Sequence, residues 1–223
     1  GVNIEDISLG IGSDSRIGSK FLESGPGFGG SCFKKDILNL VYLSNYFGLP
    51  EVAKFWEEVV NINKWNQHRI SQLVVKKLFG SVSGKKICIL GFAFKANTND
   101  TRESSSIQIC KDLIEEGAEI FIHDPKVTSK QITKDLGISP NPKNYNSEGN
   151  WNIAKNIESA LFGADAALIL TEWQEYSEIN WEKHSNNMRN PAWVFDSRSI
   201  INPTKVIKSG INFWRVGDGL IDN

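Results

Sequence analysis

Apolar positions in the first third of the chain recur at three- and four-residue steps. Val2, Ile4, Ile7 and Ile11 set a helix-compatible spacing that stops near Gly10 and Gly12. A second helix is predicted over 36–47, where Ile37, Leu40, Val41 and Leu43 are apolar, Gly48 stops the helix and Pro50 follows. The longest periodic stretch covers 51–79, with Val52, Phe55, Trp56, Val59, Ile62, Asn66, Ile70, Leu73 and Leu78 at helical steps. That length predicts a rod of roughly 40 Å. With Phe55, Trp56 and Trp65 along it, the rod is expected to pack against more than its own surroundings, as a connecting spine or a dimer interface.

The period changes at "GSVSGKK" (80–86). "KICILG" (86–91) reads as a short buried strand, and an amphipathic helix follows with Ile107, Cys110, Leu113 and Ile114 on one face and Gly117 at its end. Further strands are predicted at 118–125, 166–170, 192–196 and 211–216. Strand–helix–strand units at this spacing predict an α/β fold, a doubly wound parallel sheet covered by helices. The stretch 139–150, rich in Asn, Pro and Ser, reads as an exposed loop.

Composition narrows the function classes. The 223 residues suffice for one large domain or two small ones. Lysines and arginines (25) nearly balance aspartates and glutamates (26) and are interspersed with them, so nucleic-acid binding has no electrostatic support. No apolar run approaches the roughly 20 residues of a bilayer span, and the start does not read as a signal peptide. Three widely spaced cysteines predict a reducing cytoplasm rather than a disulfide framework, and three scattered histidines without CxxC predict no metal site. The chain opens without Met inside a helical pattern, which reads as a piece of a longer protein.

Two stretches carry candidate chemistry. In "GPGFGGSCFKKD" (25–36), glycines allow close backbone approach to a ligand, although such clusters also mark ordinary turns. Cys32 is either a small apolar filler beside the turn or a nucleophile at a helix N-terminus, where free N–H groups favour a thiolate. Asp36 follows four residues on, on the same helical face. It either positions or deprotonates water, or simply favours the helix N-terminus. Cys88 and Cys110 lie within apolar runs and read as core. In "GFAFKANTNDTRESSS" (91–106), a strand gives way to a helix, where open α/β sheets bind nucleotides, but the GxGxxG grip is absent. Lys95 and Arg102 there, with Arg198 in "FDSR", are either a phosphate site at the carboxyl edge of the sheet or surface cations. Ser104–Ser106 are expected to cap the helix, and Asp124 reads as a strand-end turn residue.

"RIGSKFLESGPGFGGSCFKKD" and "GFAFKANTNDTRESSS" closely resemble the nucleotide-sugar dehydrogenases, and within them the UDP-glucose 6-dehydrogenases. The likeness runs almost unbroken from about residue 2 to 125 and more loosely through "LILTEW" and "FDSR". It implies two successive NAD-dependent oxidations of UDP-glucose at C6, giving UDP-glucuronate. Cys32 matches the catalytic cysteine, which forms a thiohemiacetal and then a thioester, and Asp36 matches the water-activating aspartate. Glu23, Ser24, Gly25, Pro26, Gly27, Phe28 and Gly29 match the segment around the UDP-sugar. Phe94, Lys95 and Arg198 match further substrate positions, and Lys35 and Arg102 match residues that reach NAD. Arg16 matches an arginine crossing to a neighbouring subunit's sugar site. The resemblance implies a homodimer or higher homo-oligomer on the long helix, with 1–79 a central helical dimerisation domain and 80–223 a Rossmann-like UDP-binding domain. The family's N-terminal NAD-binding domain has no counterpart in the sequence, so hydride transfer by this chain alone is not expected. The alternatives are a dehydrogenase of UDP-N-acetylhexosamine or GDP-mannose, and a non-catalytic nucleotide-binding and dimerisation module.

Overall fold

The computed structural model describes residues 2–140 and 149–218, so most of the predicted 139–150 loop lies outside the described residues. Three helices come first: α1 (Ile4–Gly12), α2 (Phe33–Tyr46) and α3 (Pro50–Lys77). Each has a physical start. The Asn3 side chain accepts the Glu5 amide to open α1, and α2 begins directly after Cys32. Pro50 supplies the fixed φ that suits a first helical position, while Lys76 and Lys77 complement the dipole at the far end of α3. Gly48, at φ +72, ends α2 in the left-handed conformation that its lack of a Cβ permits.

Among the described residues six strands follow: β1 (Lys86–Leu90), β2 (Glu119–His123), β3 (Asn150–Ile153), β4 (Ala166–Ile169), β5 (Trp193–Asp196) and β6 (Asn212–Arg215). Between and beside them run α4 (Ser105–Glu115), α5 (Ser129–Leu136), α6 (Ile157–Leu161), α7 (Gln174–Ser177), α8 (Trp181–Ser185) and α9 (Pro203–Lys208). All pairings are parallel, in the order β3-β2-β1-β4-β5-β6. This is the doubly wound parallel architecture that the strand spacing predicts, with the reversal of strand order between β1 and β4. Strands β1 and β4 are buried almost throughout, as strands covered by helices on both faces must be.

One expectation needs correction. The sequence reading places no strand at β3, whose first residue, Asn150, is the last of the stretch that reads as a loop. Its four residues include two asparagines, a poor strand signal, but Trp151 is fully buried and its Nε1 donates to the Ile138 carbonyl at 3.0 Å. The apolar positions of α3 divide between two faces, as a rod that packs beyond its surroundings requires. Ile70, Val74 and Leu78 join the sheet core, whereas Val52, Phe55, Ile62 and Trp65 are exposed. The buried residues of the upper half are Ala53, Val60 and Gln67, one step round the helix, where α2 and α4 pack.

The two ends of the described chain meet. The Ile4 amide donates to the Gly217 carbonyl at 2.9 Å, and Glu5 pairs with Arg215 at 3.4 Å. Among the described residues no helix is long and apolar enough to cross a membrane.

Candidate functional site

Three loops at the carboxyl edge of the sheet converge on the switch point. The first leaves β1 at Gly91, and its backbone is held on every side. Asp124, at the end of β2, accepts the amides of Phe92 (2.7 Å) and Ala93 (3.0 Å) on one oxygen and those of Lys126 and Val127 (2.9 Å each) on the other. It is thus a strand-end residue that fixes its neighbour. Thr171 Oγ1 donates to the Ala93 carbonyl, and Ser104 and Ser106 donate to the carbonyls of Phe92 and Gly91. Ser104 also caps α4 by accepting the Ser106 amide. Phe94 and Lys95 are carried outward by this fixed backbone, with the Lys95 ammonium 5.5 Å from the Phe94 ring centre.

The second and third loops follow β4 and β5. Arg198 lies across them: its Nε donates to the Leu170 carbonyl (2.8 Å) and its Nη2 to the Phe94 carbonyl (3.2 Å). Glu172 stands 3.3 Å from Nε. Burial pushes the Arg198 pKa below the ordinary guanidinium value, and the carboxylates of Glu172, Glu23 and Asp196 oppose that shift. Ser24 and Ser199 share a hydrogen bond of 2.9 Å that joins the second half of the site to the first.

The glycine-rich loop crosses between the helices and this edge. The Asn63 carboxamide on α3 grips Phe28 from both sides, accepting its amide (2.8 Å) and donating to its carbonyl (3.1 Å). Asn66 donates to the Gly25 carbonyl at 3.2 Å, Ser105 donates to that of Gly27 at 3.3 Å, and the Gly30 amide donates to Arg102 at 2.8 Å. The glycines are required by this packing. A Cβ at Gly27 (φ +128) would lie 2.6 Å from Asn63 Oδ1, one at Gly29 2.5 Å from the Glu103 carbonyl oxygen, and one at Gly30 (φ +87) 3.0 Å from the Phe94 ring. Replacing Asn63 with Ala removes two hydrogen bonds to partly buried backbone. We expect a loss of about 1–3 kcal/mol, read as a lowered urea midpoint at unchanged m-value.

Cys32 is the N-cap residue of α2 and is exposed, with Sγ 3.5 Å from the Ser31 hydroxyl. Cys88 and Cys110 are core residues, as expected, and burial pushes both thiols far up in pKa. Asp36 and Lys35 lie exposed in the first turn after Cys32. Lys34, unremarked in the sequence, pairs with Glu103 at 2.7 Å and so ties that turn to the loop before α4. Arg102 is held by Asp100 through two nitrogens, and both the Asp100 pair and the nearby Cys32 raise its pKa.

A groove of about 580 Å³ runs along the junction. Of the predicted substrate residues, Glu23, Ser24, Gly25, Gly27, Phe28 and Gly29 line one side, and Phe94, Lys95 and Arg198 line the other. Pro26 is buried within the loop. Arg16 does not line the groove; it is held by Asp14 on the surface, its side chain 87% exposed. Cys32, Asp36, Lys35 and Arg102 group together at the start of α2 and are not among the groove's lining residues. A second cavity of about 420 Å³ adjoins the groove at Glu23, Ser24 and Arg198, and α1 forms its far wall.

Three groove residues escape sequence inspection: Lys20, Phe21 and Glu172. So do Asn63 and Gln67, while Asn66 stands out only as a periodic position. A signal existed for the carboxamides, since three of them at i, i+3 and i+4 form one polar face on an otherwise amphipathic rod. The signal for Glu172 is its place just past the carboxyl end of a buried strand.

Together, a buried guanidinium, an exposed ammonium and close-packed backbone suit an anionic ligand, beside an accessible thiol at a helix N-terminus. Comparison with known proteins agrees. The UDP-binding domain model of the UDP-glucose/GDP-mannose dehydrogenase family matches residues 88–203, and the family's central domain model matches 1–65. UDP-glucose 6-dehydrogenase 4 of Arabidopsis thaliana is 41% identical over 229 residues, covering 99% of this chain and 48% of the relative. UDP-glucose 6-dehydrogenase of Drosophila melanogaster is 41% identical over 220 residues, covering 97% of this chain and 46% of the relative. The solved structure of a UDP-glucose dehydrogenase from Pyrobaculum islandicum superposes with a TM-score of 0.75 at 26% identity, over 97% of this chain and 44% of that one. This chain thus spans about half the length of the relatives it matches. It carries the central and UDP-binding portions together on one doubly wound framework, and belongs to the UDP-glucose/GDP-mannose dehydrogenase family.

Proposed function

We propose that the chain holds UDP-glucose in the 580 Å³ groove and supplies the nucleophile for its two-step, NAD-dependent oxidation to UDP-glucuronate. The observation that carries this reading is the common support of groove and thiol. One loop, gripped by Asn63, lines the groove with Gly25, Gly27, Phe28 and Gly29 and ends at exposed Cys32. Arg198 and Lys95 bind the diphosphate, and the glycines leave room for the ligand alongside the loop. Cys32 Sγ attacks the C6 aldehyde, forming a C–S bond as the carbonyl oxygen takes a proton. After oxidation of that adduct to a thioester, Asp36 takes a proton from water, the water oxygen bonds C6, and the thiolate leaves.

NAD, when bound, supplies the hydride acceptor for both oxidations. The exposed cations Lys35 and Arg102 beside Cys32 fit a phosphate-bearing cofactor and would contact it. The loop after β1 lacks the glycine grip of a dinucleotide site, which supports assigning this sheet to the UDP-sugar. We take 1–79 as the central helical domain and 80–223 as the UDP-binding domain. The exposed Val52, Phe55, Ile62 and Trp65 of α3 support assembly as a homodimer, and Arg16, although paired with Asp14, is exposed on the surface where a neighbouring subunit would meet it. By itself the chain is expected to bind UDP-glucose without reducing NAD, and measurable turnover by it would overturn that expectation.

Titration calorimetry tests the ligand. UDP-glucose is expected to bind more tightly than UDP-N-acetylmannosamine or GDP-mannose, and a preference for either of these redirects the substrate. Arg198→Ala should weaken UDP-glucose about 10- to 100-fold, because charge-assisted hydrogen bonds contribute about 1.5–3 kcal/mol. Unchanged affinity in that variant rejects the groove as the diphosphate site.

A further inference from the structure

The Arg198 side chain is only 16% exposed, and its Nε and Nη2 hydrogens go to the carbonyls of Leu170 and Phe94. Nη1 points toward Gly25, where a Cβ would lie 3.3 Å away, so the absent side chain leaves that nitrogen open to the groove. Behind it stands Glu172. Its Oε1 accepts the Ala96 amide at 2.9 Å and so anchors the Lys95 loop. Its Oε2 lies 3.3 Å from Arg198 Nε, yet that hydrogen is already directed at Leu170, and Oε2 is buried without a hydrogen-bond partner among the described residues.

An acceptor in that state meets the guanidinium as a charge rather than through a hydrogen bond, and leaving a buried acceptor unpaired is unfavourable. The loop anchor does not require the charge, since a carboxamide oxygen would accept the Ala96 amide equally well. On the nucleotide-sugar reading given above, we propose that Glu172 is a fixed counter-charge to Arg198 that holds down the groove's affinity for a diphosphate and keeps the nucleotide exchangeable. An arriving diphosphate places like charge near Glu172 in a cleft where water is partly excluded and the repulsion is poorly screened. Glu23, on the opposite wall, also acts on Arg198 electrostatically and adds a second, exposed carboxylate.

Titration calorimetry on the 223-residue chain, with UDP and with neutral uridine as probes, tests this. Glu172→Gln keeps the Ala96 anchor and removes the charge. It should tighten UDP about tenfold and leave uridine within about twofold. UDP affinity that is unchanged or weaker in a Glu172→Gln protein of unaltered melting temperature overturns the proposal. Should that variant melt early, the exposed Glu23→Gln carries the test. A gain of about two- to threefold for UDP alone supports the counter-charge, and no gain overturns it. Wild-type chain that binds neither probe rejects the nucleotide reading itself, whereas wild-type binding of UDP with no gain in either variant rejects the counter-charge alone.

Discussion

Cys32→Ser should abolish acid formation in any form of the protein that turns over UDP-glucose, with a loss of about three orders of magnitude or more in kcat. A serine hydroxyl keeps the size and position of the thiol, but it is far less nucleophilic without a base to take its proton. No described side chain other than the adjacent Ser31 hydroxyl is hydrogen-bonded to Cys32 Sγ. The substitution also makes a poorer leaving group when water cleaves the acyl intermediate. The fold should be indifferent to it, because Cys32 is exposed and caps α2 through its backbone only. The measurement is UDP-glucuronate formed over time, with the melting temperature as a control. Wild-type glucuronate output from the variant would reject covalent catalysis at this position. A companion expectation follows from burial: a thiol-alkylating reagent should modify one cysteine of the native chain and three of the unfolded chain.

Gly91→Ala should be severely damaging to the fold. Gly91 turns the chain out of β1 at φ +97, a conformation that an alanine adopts only under strain. A Cβ there would also meet Thr171, 2.5 Å from its Oγ1 and 2.7 Å from its backbone nitrogen. Because the neighbour is backbone, it cannot swing aside. We expect a loss of about 3 kcal/mol or more, a drop of roughly 6–12 °C in melting temperature for a chain of this length. The damage should extend to ligand binding, since the displaced loop carries Phe94 and Lys95 and gives up the Thr171 bond to Ala93. A melting curve that overlays the wild type would show that the turn has room that its packing denies.

The sheet was legible because its central strands announce themselves. "ICIL" (87–90) and "AALI" (166–169) are continuous apolar runs of strand length, which only burial on both faces explains. The edge strand β3 was not, because an edge tolerates Asn150 and Asn152 and leaves half of its surface to solvent. The long rod of α3 was evident from its periodicity, but not which side faces inward. Large apolar residues such as Phe55 and Ile62 outrank Ala53 and Val60 in any pattern, although the close approach of α2 favours the small ones. In the site, Cys32, Lys95 and Arg198 could be singled out by local context: a glycine-rich loop, a strand end and another strand end. For Asn63 the carboxamide spacing along α3 was visible but its partner was not, because its role depends on Phe28, 35 positions away and on another element. Glu172 shows the same limit, since its unpaired oxygen exists only because Leu170 has claimed the hydrogen beside it.

The meeting of α1 with β6 bears on the order in which the molecule is made. Glu5 and Arg215 are separated by 210 positions, so α1 must wait through the synthesis of the whole sheet before its partner strand exists. Ile4 and Leu9 therefore spend that interval without the cavity wall they later complete. A nascent chain halted before β6 would keep the Ser8 bond to the Leu22 carbonyl but lack the Gly217 and Arg215 partners that later close α1 onto the sheet.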